Sequence, residues 1–275
     1  MVRKIQDFIF INSEFFVYPL IRKIKTQKEY NRLFKNFLSL SVLQAANYIF
    51  PLIIFPYLVR VLGVEKFGLI SFAQAFIMYF NVLVDYGFNL SATREISINR
   101  DNKEKISEIF SSVMFIKFGL IMISLILLTI IVFSFEKFRV DWLIYYLTFG
   151  IVIGQAMFPV WLFQGLEEMR YITYVNVIAK GIFTLAVFVF VRNISDYYKV
   201  PLLNSIGFIT AGIISLVMVK KKFGIIFSKS SLVTIKNQLT NGWHIFVSNI
   251  MGMLYRNSNS LLLGIITNNL MVGYY

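Results

Sequence analysis

The sequence predicts an all-α polytopic membrane protein with about seven complete transmembrane helices and the start of an eighth, on three observations. Hydrophobic residues make up 57% of the 275 and charged residues 15%, against roughly 45–50% and about 25% in an ordinary soluble domain. Mean hydropathy is +0.70. The apolar residues also fall in stretches of about twenty separated by short basic loops, the length that crosses a ~30 Å hydrocarbon core as helix. The formal net charge of +13 would suggest nucleic acid in a soluble chain and retained cytoplasmic Lys/Arg in a membrane one. With no Cys and one His, disulfides, thiolate chemistry and multi-histidine metal sites are excluded.

Taken in order, residues 1–35 form a basic N-terminal extension. Its apolar stretch Phe8–Leu20 is cut by Asn12 and Glu14 and has no small-residue cleavage site, so it is neither a span nor a signal peptide. An interfacial amphipathic helix and a flexible leader both fit it. Complete spans read at about 37–60, 68–90, 111–135, 141–163, 171–191, 201–219 and 242–264. This divides the chain into a six-helix unit at 36–220, a basic loop at 221–240, and the start of a second unit at 241–275. The last residues, Val272-Gly273-Tyr274-Tyr275, read as the opening of an eighth span, so a C-terminally truncated chain is expected. With the N-terminus inside, 18 Lys/Arg fall on the cytoplasmic side, six on the other, and Lys117, Lys180 and Arg256 inside spans. That is a clear positive-inside bias. Arg22-Lys23-Ile24-Lys25 and Lys220-Lys221-Lys222 adjoin spans and read as headgroup anchors, so no nucleic acid partner is expected.

Polar residues inside the spans carry the functional signal, since a polar group facing lipid is costly and turns toward protein or water. At 100° per residue the second span places Gln74, Asn81 and Asp85 within about 40° of one another, with Asn89 beside them. Similar stripes are Thr173, Asn176, Lys180 and Thr184 in the fifth span and Asn249, Arg256 and Ser260 in the seventh, while the first offers Ser41, Gln44, Asn47 and Tyr48 before Pro51. Four polar faces predict a shared hydrophilic interior. Lys180 lies roughly 14 Å into its span, near the middle of the core, and Arg256 somewhat beyond the middle. Asp85 and Lys117 stand at matching depth on antiparallel neighbours and can form an ion pair.

Each signal also has a plainer reading. Lys117 can snorkel or pair structurally, and the depth of Lys180 and Arg256 depends on the span boundaries. The Asn, Gln and Ser residues can serve as interhelical hydrogen bonds. His244 reads as a satisfied surface or interface histidine, with proton coupling as the alternative. Gly150-Ile151-Val152-Ile153-Gly154 reads as close helix packing, and Pro51 and Pro56 as bends. Walker, Rossmann, HExxH and nucleophile-elbow patterns are all missing, and Glu167-Glu168 reads as solvated loop charge. The chain is therefore read as a transporter, not an enzyme, with no cofactor.

Several strings, taken together, resemble the O-antigen flippases (Wzx type) of the polysaccharide transporter family, within the multidrug/oligosaccharidyl-lipid/polysaccharide exporter superfamily. They are Asn36-Phe37-Leu38-Ser39-Leu40 through Phe55-Pro56-Tyr57-Leu58-Val59-Arg60-Val61-Leu62-Gly63, then Phe67-Gly68-Leu69-Ile70 and Asp85-Tyr86-Gly87-Phe88-Asn89-Leu90-Ser91-Ala92-Thr93-Arg94-Glu95-Ile96. Further on come Phe158-Pro159-Val160-Trp161-Leu162-Phe163-Gln164-Gly165-Leu166-Glu167, where a second Phe is more usual than Leu162, and Leu261-Leu262-Leu263-Gly264 with Val272-Gly273-Tyr274-Tyr275. The resemblance covers roughly residues 36–275 and departs from the family in the long N-terminal extension and in length, since the family has about twelve to fourteen spans in two six-helix lobes. It implies one lobe plus the first helix of the second.

The resemblance further implies flipping of a polyprenyl-pyrophosphate-linked oligosaccharide across the bacterial inner membrane by alternating access, with membrane lipids and the polysaccharide polymerase or chain-length machinery as partners. On that expectation Lys180 and Arg256 contact the anionic headgroup, and Asn176, Asn249, Asn81, Gln74, Gln44 and Asn47 line the cavity. Asp85, Lys117 and Arg94 form a gate or ion-pair group near the cytoplasmic mouth. The alternatives are a cation-coupled small-molecule antiporter, which calls for deep acids where only the shallow Asp85 is available, and an inactive remnant or membrane scaffold.

Overall fold

The computed structural model describes residues 27–228 and 231–275, apart from the side chains of residues 27–30, 32, 256, 257 and 260. The N-terminal leader up to residue 26 lies outside the described residues. Ten helices follow in order: α1 (Gln27–Asp85), α2 (Phe88–Ile98), α3 (Lys103–Ser134), α4 (Glu136–Val140), α5 (Trp142–Met157), α6 (Val160–Gly165), α7 (Met169–Phe190), α8 (Lys199–Phe223), α9 (Leu232–Ile266) and α10 (Asn269–Tyr274). A 3-10 turn spans Ile194–Tyr198, and there is no strand among the described residues.

Among the described residues, five helical stretches are long and apolar enough to cross a membrane: Leu33–Ile98, Lys103–Ser134, Trp142–Gly165, Met169–Phe190 and Ile194–Phe223. The first has 66 residues, about 99 Å as straight helix, three times a ~30 Å core. It is two passes folded at Gly63, whose φ of 76° and ψ of 162° break the helix into limbs 27–62 and 64–85. A left-handed φ is open to glycine without the penalty a Cβ brings.

Side-chain pairings fix the directions. The first limb runs parallel to α7, since Ser39 pairs with Thr173, Asn47 with Lys180 and Tyr57 with Val191. The second limb runs parallel to α5, with Phe76 against Tyr145 and Asn81 against Gln155. Helix α3 opposes both, as Lys117 meets Asp85 and Thr129 meets Tyr146. Helix α9 runs back along the second limb, from Tyr86 near Gly242 to Phe72 near Gly264. Among the described residues the result is six alternating passes, with α9 antiparallel to the second limb and α10 following it. One end of the bundle carries α2 and α6, the other carries Gly63, α4 and α10. The many exposed apolar side chains between them, such as Leu52, Ile126 and Leu185, form a lipid-facing surface.

Span boundaries differ from the sequence reading in three places. The second span ends at Asp85, where Tyr86 (φ 49°) and Gly87 (φ 79°) turn the chain into the separate helix α2. The fourth is interrupted at Phe158-Pro159, because a residue before proline is pushed to extended backbone and Phe158 has φ −91° and ψ 101°. Helix α9 begins at Leu232, capped by Ser231 accepting from the Thr234 amide at 3.1 Å, inside the stretch read as a loop. Local polarity hid that start. At the far end Lys137 of α4 donates to the carbonyls of Gly264, Ile265 (3.2 Å) and Thr267 (2.8 Å), a cation on the last turn of α9. Burial there holds its pKa below the ordinary lysine value.

The Gly150/Gly154 pair is the contact seam of α5 with α8: a Cβ on Gly150 would meet the Ser205 side chain at 2.6 Å, and one on Gly154 would overlap the backbone of Phe208 and Ile209.

Candidate functional site

The two chain breaks build the floor of the site. Helix α2 and the turn that follows it pack against α6, with Thr93 Oγ1 donating to the Trp161 carbonyl at 3.1 Å and Arg100 Nε to the Gly165 carbonyl at 2.8 Å. Arg100 is also ion-paired to Glu167, whose carbonyl accepts from Asn36 Nδ2 at 2.9 Å. Thus three strings that carry the family resemblance meet at one end of the bundle. Trp161, Phe163, Phe88 and Ile96 are fully buried there.

Above this floor lies a cavity of about 450 Å³ between the second limb, α2, α3, α5, α7, α8 and α9. Its polar lining comprises Asn81, Asp85, Asn89, Lys117, Gln155, Asn176, Lys180 and Asn249. Six of the predicted site residues are therefore brought together: Asn81, Asp85, Lys117, Asn176, Lys180 and Asn249. Lys117 Nζ lies 3.2 Å from Asp85 Oδ1, with side-chain exposures of 4% and 18%. Lys180 is half-buried and donates to Asn47 Oδ1 at 2.5 Å. Among the described lining residues, then, one ammonium is balanced by a carboxylate and one is not. A second cavity of about 20 Å³ behind Lys180 is lined by Asn176, Asn204 and Phe208 among others, enough room for one water.

Other predicted residues stand elsewhere. Asn47 and Gln44 do not line the cavity; Asn47 Nδ2 donates to Gln44 Oε1 at 3.4 Å, so they reach the site only through Lys180. Gln74 is partly buried two turns from Asn81 toward the Gly63 end, beyond the cavity. Arg94 is exposed on α2, where its carbonyl accepts from Ser97 Oγ at 2.8 Å, away from the Asp85–Lys117 pair. Arg256 lies in α9 with its side chain outside the described residues. Thr173 and Thr184 hydroxyls are taken by the carbonyls of Ser39 and Lys180, and His244 is exposed.

Sequence reasoning missed Gln155, which accepts from Asn81 Nδ2 at 2.6 Å. The signal was present, a polar residue in mid-span, but it directly follows Gly154 and was absorbed into the packing motif.

The turn that aims Asp85 is a sensitive point. Gly87 needs its left-handed φ, and a Cβ there would meet the Ile245 side chain at 2.8 Å. Gly87→Ala is expected to cost about 1–2 kcal/mol from backbone strain, read as a lower melting temperature in detergent. An unchanged melting temperature would show that the turn relaxes freely.

No solved structure matches the chain. Residues 33–275 match the family described as "Polysaccharide biosynthesis protein". The chain belongs to that family. Two curated family relatives are each named "Putative O-antigen transporter". The protein of Escherichia coli (strain K12) is 35% identical over 241 residues, covering 88% of this chain and 58% of its own length. That of Shigella dysenteriae is 31% identical over 247 residues, covering 88% of this chain and 60% of its own length. The chain thus spans less than two thirds of the polysaccharide biosynthesis relatives it matches.

Proposed function

We propose that the chain forms the cargo-binding lobe, residues 36–220, and the first helix of the opposing lobe of a transporter. Its cargo is a polyprenyl-pyrophosphate-linked O-antigen or polysaccharide unit, moved across the bacterial inner membrane by alternating access. The observation that carries this reading is a cavity inside the helix bundle whose unbalanced ammonium is Lys180. A pyrophosphate entering it exchanges hydration for charge-assisted hydrogen bonds, the strong class of such bonds, and Asn81, Gln155, Asn176 and Asn249 offer amides to sugar hydroxyls. On this reading the N-terminus and the α2/α6 end face the cytoplasm, since 12 Lys/Arg of the described residues gather at that end against six at the other. The names of the two relatives support the substrate class.

The same observation weighs against a cation-coupled antiporter, because Asp85 is the single carboxylate among the described cavity residues and Lys117 already neutralises it. Transport without chemistry on the cargo needs no nucleophile or general base.

A chimera in which this chain replaces the matching part of the Escherichia coli relative tests the reading in cells lacking their own transporter. Surface polysaccharide is expected with the unaltered chimera and to fall at least about tenfold with Lys180→Gln, the scale of one lost charge-assisted contact. Full surface polysaccharide with Lys180→Gln would sink the assignment.

A further inference from the structure

The two ammonium groups at the cavity are treated differently by their neighbours. Lys117 is cancelled by the Asp85 carboxylate. Lys180 is held by a neutral oxygen, Asn47 Oδ1, from the first limb of α1. An ammonium has three donors and no acceptor, so Asn47 must turn its carbonyl oxygen toward Lys180 and its NH2 away. On that far side Gln44 Oε1 accepts from Asn47 Nδ2 at 3.4 Å, which fixes the amide's sense.

The first limb is registered against α7 on both sides of this contact. Thr173 Oγ1 donates to the Ser39 carbonyl at 2.8 Å, and Tyr57 Oη to the Val191 carbonyl at 2.7 Å. Asn47 therefore cannot slide along α7 without breaking bonds above and below it. Asn47 itself does not line the cavity, whereas Lys180 does.

We propose that Asn47 is a positioning residue: it anchors the Lys180 ammonium at the cavity wall while leaving its charge uncancelled for an anionic ligand of the pyrophosphate class. The inference rests on the cavity reading given under Proposed function. Its physical logic is a choice among three partners. With no partner, a half-buried cation bears an uncompensated part of its desolvation penalty. With a carboxylate partner it would be satisfied but neutral, as Lys117 is, and an incoming anion would have to displace that partner. A carbonyl satisfies one N–H and leaves the net charge in place.

The test uses the purified chain in nanodiscs, with geranylgeranyl pyrophosphate as the probe and uncharged geranylgeraniol as the control. Asn47→Asp keeps size and acceptor but adds a negative charge at hydrogen-bond distance from Lys180. It is expected to weaken pyrophosphate binding about tenfold or more, to leave geranylgeraniol binding unchanged, and to preserve or raise the melting temperature. Asn47→Ala is expected to weaken pyrophosphate binding about threefold, the range of one neutral hydrogen bond. Asn47→Asp binding pyrophosphate as tightly as the unaltered chain would overturn the proposal, since a merely structural clamp is served equally well by a salt bridge. Should Asn47→Asp fail to insert, Asn47→Ala decides: equal losses for both probes overturn the proposal, a loss confined to the pyrophosphate upholds it. Lys180→Gln separates the two levels. If it binds pyrophosphate normally the cavity reading falls, whereas loss with Lys180→Gln and none with either Asn47 variant overturns the positioning role alone.

Discussion

Lys117→Met alone is expected to destabilise the fold by about 3–5 kcal/mol, the cost of leaving one partner of a buried ion pair uncompensated. Lys117 is 3% exposed and its ammonium lies 3.2 Å from Asp85 Oδ1, so its removal strands a carboxylate between α1 and α3. Asp85 borders the cavity and keeps some solvent access, which places the loss toward the lower end of that range. Asp85→Asn strands the ammonium instead and is expected to be the worse of the two, because Lys117 is the more enclosed partner. The double variant Asp85→Asn with Lys117→Met is expected to recover most of the loss, as neutral replacements of buried pairs commonly do. Melting temperatures of the four proteins in detergent measure this as a double-mutant cycle. Additive losses would mean that the two residues do not act as a pair. If the pair is also a gate, the recovered double variant folds yet transports poorly.

The second large effect is expected at the seam between α5 and α8. Gly154→Leu is expected to prevent these helices from closing, because even a Cβ at residue 154 overlaps the Phe208 and Ile209 backbone. Side chains can rotate away from a clash; a helix backbone must translate as a body. Overpacking of this kind costs about 1–3 kcal/mol where neighbours can adjust and more where they cannot. Gly154→Ala should therefore be worse than Gly150→Ala, whose Cβ meets the movable Ser205 side chain at 2.6 Å. Phe208 also lines the cavity, so separation of the helices widens the site beside Gln155. Folded yield and melting temperature across the three variants check the order. Equal tolerance of Gly150→Ala and Gly154→Ala would contradict the seam.

The passes themselves were legible because twenty apolar residues in a row have one stable solution in lipid, a helix that satisfies its own backbone. The breaks at Asp85-Tyr86-Gly87 and Phe158-Pro159 were harder to see. Hydropathy continues across them, while the backbone conformation responds to a left-handed glycine and to the restriction before proline. Helix α9 was read ten residues short because its first three turns are polar, and their register depends on partners distant in sequence: Glu95 accepts from Gln238 at 2.5 Å and Asn241 at 2.9 Å.

For the site, the sequence by itself determined which residues must avoid lipid, since burial cost depends on residue type and depth alone. It could not rank them by role. Gln74, Asn81 and Asp85 share one helical face, yet the cavity opens on only part of it, because a stripe has direction but no end until other helices close over it. Asn47 and Asn176 are the same residue on similar stripes. Only the packing of the first limb against α7 makes one a tether for Lys180 and the other a cavity wall. Composition and periodicity act within one helix, and they determined the all-α membrane architecture and the polar faces. Distance between helices decided which charge is cancelled, which is left available, and where the space between them lies.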